Sequence, residues 1–247
     1  ADGVARVICY DPRHNVNLPD IPRARALKVF QAWRDQTREM TALPRIQSVF
    51  LFENKGTLTG TSNLHPHCQL YATNFVFKQI EMELQALSDN QKRSGRNIFD
   101  EILEAEKNDG RRILAENDHA IAFVPFFARW AYEAWIFPKR RHATLSTLSD
   151  AELEGLCKVY QEVTRRYDLL YRMSFPYVMG IYQAPVKTPN PDYHLHFVLL
   201  PPLRQPGLQK FLASSEVHGG NFMADTLPEE KAAELKALDP SLFREVP

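Results

Sequence analysis

Hydrophobic and polar residues alternate over residues 3–11 (GVARVICYD), and β-branched side chains are frequent there, which predicts a half-buried strand. Residues 21–40 (IPRARALKVFQAWRDQTREM) instead place apolar side chains at helical spacing, behind a proline suited to a first helical turn. Residues 46–54 (IQSVFLFEN) and 64–77 (LHPHCQLYATNFVF) predict two further strands, separated by a turn at residues 59–63. The first part of the chain is therefore expected to combine strands with one helix.

A polar and charged stretch follows at residues 79–112, where we expect a surface helix that is interrupted near residues 88–97 (SDNQKRSGRN). The first pattern then returns. Four more strands are predicted at residues 119–127, 133–142, 177–185 and 193–202. Between the second and third of these, residues 149–171 predict an amphipathic helix with Ser149 as its N-cap and Glu152 as the capping-box partner.

The two parts of the chain repeat one another in the positions of their histidines. In the first part, an HPH motif (residues 65–67) begins 51 positions after His14. In the second part, an HLH motif (residues 194–196) begins 52 positions after His142. Two strand-helix-strand units that each end in H-x-H indicate an internal duplication. Chance agreement is the alternative, because helices and strands alternate in many proteins.

Composition narrows the class of partner and the location. The chain has 247 residues, 44% of them hydrophobic and 24% charged, as in ordinary globular proteins. Its 30 basic and 30 acidic residues cancel, so no general positive field favours nucleic acid, and a small partner is expected. No run of 18 apolar residues predicts a membrane span and no signal peptide is visible, so we expect a cytoplasmic protein. Cys9, Cys68 and Cys157 contain no C-x-x-C pair and are expected to be reduced thiols.

The paired histidines are the strongest candidates for chemistry. Residues two apart on a strand point to the same face, so His65 and His67 are expected to share a face, as are His194 and His196. A single histidine among apolar residues is more often a satisfied core residue. Two pairs favour function, because imidazole is a common metal ligand and also a nucleophile towards phosphorus when an acceptor holds its second nitrogen. The residues alone leave both uses open.

Five segments together resemble a known family. They are FENKG (52–56), GTSNLHPHCQLYATNF (60–75), RYDLLYRMSFPYVMGIYQAP (166–185), YHLHFVLLPPL (193–203) and KFLASSE (210–216). This ordered set resembles the galactose-1-phosphate uridylyltransferase family of the histidine-triad superfamily. The resemblance implies an α+β fold of two histidine-triad-like halves with antiparallel sheets and packed helices, and a homodimer with shared active sites. We expect the halves at residues 1–112 and 113–247, and the N-terminal part of the family fold to be absent.

The resemblance also implies roles for single residues. His67 matches the family's nucleophile, and Gln69 matches the side chain that binds the phosphoryl oxygen of the covalent intermediate. The positions that match diphosphate contacts are Asn54, Gly60 and Ser62, and those that match a sugar-phosphate loop are Lys210, Phe211 and Glu216. The alternative for the loop charges is ordinary solvation. Cys68 adjoins His67 on the predicted strand, so we expect it to face away.

Two metal sites are implied in the same way. His14 and His65 match two ligands of a zinc site whose other ligands are usually a C-x-x-C pair well upstream. Zinc needs about four ligands, so this site is incomplete in the chain. A second site, for zinc or iron, would take three ligands from this chain: Glu83, His194 and His196. Its fourth ligand is usually a histidine, and that position holds Tyr182. A metal-free hydrogen-bonded cluster is the alternative there.

The implied reaction is uridylyl transfer from UDP-glucose to galactose 1-phosphate, within galactose metabolism, by a ping-pong mechanism with a covalent intermediate on His67. UDP-glucose, UDP-galactose and hexose 1-phosphates are therefore the expected partners. Three alternatives stay open: a related nucleotidyltransferase or phosphorylase, a hydrolase, and a non-catalytic nucleotide-binding or metal-binding protein. A hydrolase is expected to carry a third histidine after the HPH pair, where this chain has Gln69.

Overall fold

The computed structural model describes residues 1–188 and 190–245. Its strands are β1 (Gly3–Cys9), β2 (Ser48–Lys55), β3 (His67–Thr73), β4 (Ile113–Glu116), β5 (Ala120–Phe123), β6 (Ala134–Pro138), β7 (Tyr177–Tyr182), β8 (His196–Leu200), β9 (Leu203–Gln205) and β10 (Leu208–Gln209). Its helices are α1 (Arg23–Thr41), α2 (Lys78–Ser94), α3 (Ile98–Asp109), α4 (Asp150–Leu170), α5 (Ser214–Gly219) and α6 (Pro228–Lys236). Short 3-10 turns lie at Thr57–Thr59, Leu145–Thr147 and Pro240–Leu242.

The strands and helices expected from the sequence are present, and the protein is an α+β protein. The expected capping box begins α4: the backbone N–H of Glu152 donates to Ser149 Oγ, and the backbone N–H of Ser149 donates to the Glu152 carboxylate. The sequence patterns did not predict β4, β9, β10, α5 or α6. These elements have two to nine residues each, too few for periodicity to be distinctive.

The strands at the two H-x-H motifs are shorter than expected. β3 begins at His67 and β8 begins at His196, so His65 and His194 both lie before their strands. The shared-face argument therefore does not apply to either pair. At the first motif, Pro66 explains why β3 begins only at His67, because proline has no N–H to donate to a neighbouring strand.

Eight strands form one antiparallel sheet in the order β1-β3-β2-β7-β8-β6-β5-β4, and β9 pairs with β10 separately. The expected antiparallel pairing is confirmed, and the two halves share a single continuous sheet. They join where β2 pairs with β7, as in the opposition of Phe52 to Gly180.

The strand order repeats on either side of this joint. One side reads β2-β3-β1 and the other reads β7-β8-β6, and the middle strand of each trio begins with the second histidine of an H-x-H motif. In each half a long helix, α1 or α4, follows the outer strand of the trio along the chain. This repetition agrees with an internal duplication. The boundary at residue 112 stays a prediction.

The two faces of the sheet are covered to different extents. α1 and α4 pack on one face, where Phe30 and Trp33 meet Tyr160 in the main core. α2 and α3 cover the opposite face mainly beside the second-half strands, where Phe99 contacts Phe137. Among the described first-half strands, this cover reaches β2, where Phe50 contacts Phe77 before α2, and leaves alternate residues of β1 exposed.

β3 shows the effect of this uneven covering. The side chains that point to α1 and α4 are buried, and they are Cys68, Leu70 and Ala72. On the other face, His67 and Gln69 are partly exposed and Tyr71 is exposed, and only Thr73, at the end of the strand, is buried. Cys68 thus faces away from His67, as expected, and burial raises the pKa of its thiol well above the usual value. The strand face that carries His67 and Gln69 is open to solvent.

The three cysteines, Cys9, Cys68 and Cys157, are free thiols. Cys9 is exposed on β1, whereas Cys68 and Cys157 are buried. Among the described residues, the helices are too short or too polar to cross a lipid bilayer.

A buried carboxyl group lies in the main core. Glu53 on β2 accepts hydrogen bonds at Oε2 from the hydroxyl groups of Tyr160 and Tyr177, at 3.3 and 3.5 Å. Beside it, the buried ammonium of Lys55 pairs with Asp168 at 2.7 Å. Burial raises the pKa of Glu53 to about 7, because the carboxylate loses its hydration and the neighbouring hydroxyls and Lys55 compensate only in part.

The first prediction concerns the pH dependence of stability. The pKa of Glu53 is higher in the folded protein than in the unfolded chain. Between these two pKa values the folded protein keeps a proton that the unfolded chain has lost, so the free energy of unfolding falls as pH rises. Glu53→Gln should remove that fall, which is at most about 1.4 kcal/mol per pH unit between about pH 5 and 7. Urea unfolding at several pH values measures it.

The exposed Glu230→Gln on α6 is the matched control, and it should keep the slope of the unsubstituted protein. Equal slopes for the Glu53 variant and the unsubstituted protein would show that Glu53 is ionised in the folded core.

Candidate functional site

His67 lies at the start of β3, on the open face of the sheet, and its side chain is half-buried. Across the sheet it is paired with Cys9 of β1, and Gln69 is paired with Val7 of β1 and with Phe52 of β2. Opposed residues of an antiparallel pair share a face. His67 and Gln69 are therefore neighbours on one exposed surface, bordered by β1 on one side and β2 on the other.

The ring of His67 is held by the backbone of its own motif. His67 Nδ1 lies 2.6 Å from the carbonyl oxygen of His65. A carbonyl oxygen only accepts, so Nδ1 carries the hydrogen and the neutral ring has its lone pair on Nε2. An imidazole held in this way presents Nε2 as a nucleophile or ligand. This is the support that a nucleophilic histidine requires.

The loop before β3 is fixed by hydrogen bonds that the sequence reasoning did not identify. Asn63 Oδ1 accepts from the backbone N–H of His65 at 3.0 Å, and the hydroxyl of Thr61 donates to the Asn63 carbonyl at 2.9 Å. The N–H of Tyr10 donates to the carbonyl of Pro66 at 3.2 Å. Asn63 thereby orients the peptide that supports His67. The signal available was an asparagine two residues before a histidine, a common turn arrangement.

Gln69 and the predicted diphosphate contacts lie around the same open surface. The Gln69 side chain makes no hydrogen bond to any described residue, so its amide is available to a ligand. Asn54 is two residues after Phe52 on β2 and therefore shares its face. Gly60 ends the 57–59 turn with φ 74°, and Ser62 is exposed on the following loop. A side chain at position 60 would be strained by that φ.

Lys210, Phe211 and Glu216 lie together but not beside His67. The Lys210 ammonium is buried and contacts Glu216 Oε1 at 3.0 Å and the carbonyl of Met223 at 2.8 Å. The Glu216 carboxylate also accepts from two backbone N–H groups, and these bonds with Lys210 lower its pKa to about 2. These two residues are thus not solvated loop charges. Phe211 is 77% exposed.

Within the described part of the chain, no hydrogen bond or ion pair links this loop to His67 or Gln69. The loop is instead closed on itself by the buried pair. The sugar-phosphate role implied by the resemblance stays a prediction.

His14 and His65 meet at one point in the first half. Their Nδ1 atoms are 2.8 Å apart, and their rings are arranged edge to face. Asp11, three residues before His14, is held by Arg13, which lowers the pKa of that carboxyl to about 2. At this distance one ring nitrogen donates a hydrogen bond to the other, and two imidazoles are side chains of the kind that supply half of a tetrahedral zinc site.

The second set of expected ligands is only partly gathered. Glu83 Oε1 lies 3.7 Å from His196 Nε2, whereas His194 uses Nε2 to bond the carbonyl of Pro138 at 2.9 Å. Burial lowers the pKa of His194 to about 4. The ring of Tyr182 lies flat against His196, with centroids 5.1 Å apart. Over residues 1–188 and 190–245, no three His, Cys, Asp or Glu side chains form a metal-binding group.

The corresponding histidines of the two halves share a backbone support but differ in access. His196 Nδ1 bonds the carbonyl of His194 at 2.8 Å, just as His67 Nδ1 bonds that of His65. His196, however, is fully buried, with Trp135 and Phe137 stacked on it at 4.8 and 4.9 Å. Of these two histidines, only His67 has an exposed part of its side chain. The arrangement supports nucleophilic chemistry at His67 and structural packing at His196.

Comparisons with known proteins identify the family to which the chain is similar. Sequence profiles of the N-terminal and C-terminal domains of galactose-1-phosphate uridyl transferase match residues 1–76 and 82–245. The galactose-1-phosphate uridylyltransferase of Thermotoga maritima is 36% identical over 236 residues, which cover 95% of this chain and 74% of that protein. The Haemophilus influenzae protein of the same name is 34% identical over 247 residues, covering 99% and 70%.

A solved uridylyltransferase structure has a TM-score of 0.90 to this chain at 33% identity, and the match covers 95% of this chain and 75% of that one. The profile matches and the two relatives extend over almost the whole chain, so the similarity is not confined to the HPH motif. The chain belongs to the galactose-1-phosphate uridylyltransferase family of enzymes.

Proposed function

We propose that the protein transfers a uridylyl group from UDP-glucose to galactose 1-phosphate through a covalent intermediate on His67, as part of galactose metabolism. The observation that carries this proposal is the state of His67: Nδ1 is held by the His65 carbonyl at 2.6 Å, and the ring lies on the open face of the sheet. The names of the relatives supply the group transferred and one of its acceptors.

The reaction proceeds in two steps at one nitrogen. The lone pair of His67 Nε2 attacks the α-phosphorus of UDP-glucose, the bond to the leaving phosphate oxygen breaks, and glucose 1-phosphate departs with that electron pair. A phosphate oxygen of galactose 1-phosphate then attacks the same phosphorus, breaks the N–P bond and leaves as UDP-galactose. The two sugar phosphates use one pocket in turn, because the histidine keeps the uridylyl group between the steps.

Gln69 is proposed to stabilise the charge on the phosphoryl oxygens. Its amide has two N–H donors, makes no hydrogen bond to any described residue, and lies on the same strand face as His67. Asn54 lies farther along the neighbouring strand on the same face, and Gly60 and Ser62 lie on the loop that leads to the HPH motif. We propose that these three contact the diphosphate.

Zinc is proposed at the junction of His14 and His65, whose Nδ1 atoms are 2.8 Å apart. The two residues would supply two ligands, and about two more must come from outside this pair. Zinc bound there would play a structural part, because it would restrain His65, whose carbonyl supports His67. No step of the reaction uses the ion.

The protein is proposed to act as a homodimer, with the loop of Lys210, Phe211 and Glu216 reaching the site of the second copy. The loop does not bond to His67 in its own chain, and the apolar side chains of residues 208–227 are unusually exposed. They are Leu208, Phe211, Leu212, Val217, Phe222, Met223 and Leu227. An exposed apolar cluster of this size is typical of an interaction surface. The proposed location is the cytoplasm, where free thiols persist.

The second prediction tests the nucleophile. After mixing with UDP-glucose, intact mass spectrometry should show the addition of one uridylyl group to the unsubstituted protein and no addition to His67→Ala. His119→Gln, which changes a histidine outside the site, should be labelled like the unsubstituted protein. Labelling that survives in His67→Ala, or that is lost in His196→Ala with unchanged thermal stability, would assign the nucleophile elsewhere.

The third prediction tests the charge-stabilising role of Gln69. Gln69→Glu replaces a donor with an acceptor of like charge, so the transfer rate should fall by about a hundredfold or more while the protein stays folded. Steady-state kinetics and thermal unfolding measure the two effects. Gln79→Glu, which makes the same change on an exposed turn of α2, should keep the rate. Near-normal transfer by the Gln69 variant would show that backbone N–H groups alone stabilise the charge.

The fourth prediction tests the dimer. Phe211→Glu should weaken self-association on the order of a hundredfold, because it places a charge in an apolar contact. Sedimentation velocity over a concentration series measures this. Leu242→Glu is the matched control, since Leu242 is similarly exposed, at 72%, but lies outside the 208–227 cluster. A Phe211 variant that associates as the unsubstituted protein does would place the dimer contact on another surface.

A further inference from the structure

A cavity of about 520 Å³ opens between α2, α3 and the aromatic residues Phe126, Phe127 and Trp135. Its remaining walls are largely apolar and include Phe99 and Ile102. His67 and Gln69 are not among the residues that line it. The proposed transfer reaction therefore leaves this cavity without a role.

Three of the lining residues carry charge, and two of them are already balanced. The Arg93 guanidinium donates to Asn90 Oδ1 at 2.8 Å, and the Asn90 amide donates to Glu101 Oε2 at 2.6 Å. Arg93 and Glu101 are thus joined through Asn90. Glu83 remains as the third charge, on the α2 wall.

Glu83 has one oxygen without a donor. Its Oε2 accepts from the hydroxyl of Tyr193, and its Oε1 lies 3.7 Å from His196 Nε2. His196 is fully buried, and its Nδ1 donates to the carbonyl of His194. That Nε2 has no hydrogen-bond partner among the described residues. Among the described residues that line the cavity, Glu83 is therefore the charge that no other lining side chain balances.

We propose that this cavity binds an organic amine, whose protonated amino group meets Glu83 and whose apolar body fills the aromatic walls. An ammonium group donates to Glu83 Oε1, and its charge balances that of Glu83. The rings of Phe99, Phe127 and Trp135 line the cavity and would pack against the carbon atoms of the ligand. This site lies beyond the proposed transfer reaction.

A metal ion fits the same surroundings less well. The cavity is far larger than an ion, and no three metal-binding side chains of the described residues converge there. The position at which a fourth ligand is expected holds Tyr182, whose ring is engaged in stacking on His196. A cation with an apolar body satisfies both Glu83 and the aromatic walls.

Calorimetric titration of the full chain with 4-phenylbutylamine tests the proposal, with 4-phenylbutanol as a neutral match of similar size. We expect one amine per chain, bound at least about tenfold more tightly than the alcohol. Glu83→Gln should remove this preference, and Ala105→Phe, which fills the cavity from α3, should weaken both compounds. Glu101→Gln is the matched control at the same cavity and should keep the preference.

Thermal unfolding of each variant confirms that it is folded. If Glu83→Gln does not fold, Ala105→Phe still tests whether the two compounds bind in this cavity. The proposal would be overturned if neither compound bound, or if the amine and the alcohol bound equally well. So would zinc binding that depends on Glu83 and excludes the amine. Uridylyl labelling of His67 is measured separately, so failure here is distinguishable from failure of the transfer reaction.

Discussion

The antiparallel pairing of β2 with β7 is the contact on which the rest of the structure depends. It joins the halves through five opposed residue pairs, from Leu51 with Ile181 to Lys55 with Tyr177. Because side chains alternate along a strand, this register sends Glu53 into the core and leaves Asn54 on the open face. A slip of one residue would exchange these two environments, placing the acid in solvent and the amide among tyrosines. The site and the core are therefore specified by the same pairing.

The two H-x-H motifs show how one local structure acquires two roles. In both, the carbonyl of the first histidine bonds Nδ1 of the second, a contact that belongs to the backbone turn and not to the surrounding fold. What differs is the cover. His196 is stacked against Trp135 and Phe137 of β6 and is also contacted by Phe99 of α3, whereas His67 is partly exposed. Access to this position is thus set by side chains distant in sequence from the histidine itself.

Much of this could be predicted from the sequence, because long periodic segments and a capping box report local structure directly. The helices at 23–41 and 150–170 and the identity of the HPH motif are of this kind. Three features could not be predicted in this way. The single continuous sheet depends on pairing between residues far apart in the chain. The inward pairing of Lys210 with Glu216 depends on burial that no local pattern reveals. The position of His65 before β3 depends on the turn made by Asn63 and Pro66, which interrupts a run of otherwise strand-like residues.

The separation in sequence between the paired strands has a consequence for the order of folding. Phe52 and Gln69, opposed in β2 and β3, are 17 positions apart, and Tyr182 and His196, opposed in β7 and β8, are 14 apart. Leu51 and Ile181, at the joint, are 130 positions apart. Closing a long loop loses more chain entropy before any contact forms, so nearby strands pair first and the joint closes late. We expect each half to fold as an early unit, and the barrier to lie at the step where β2 finds β7.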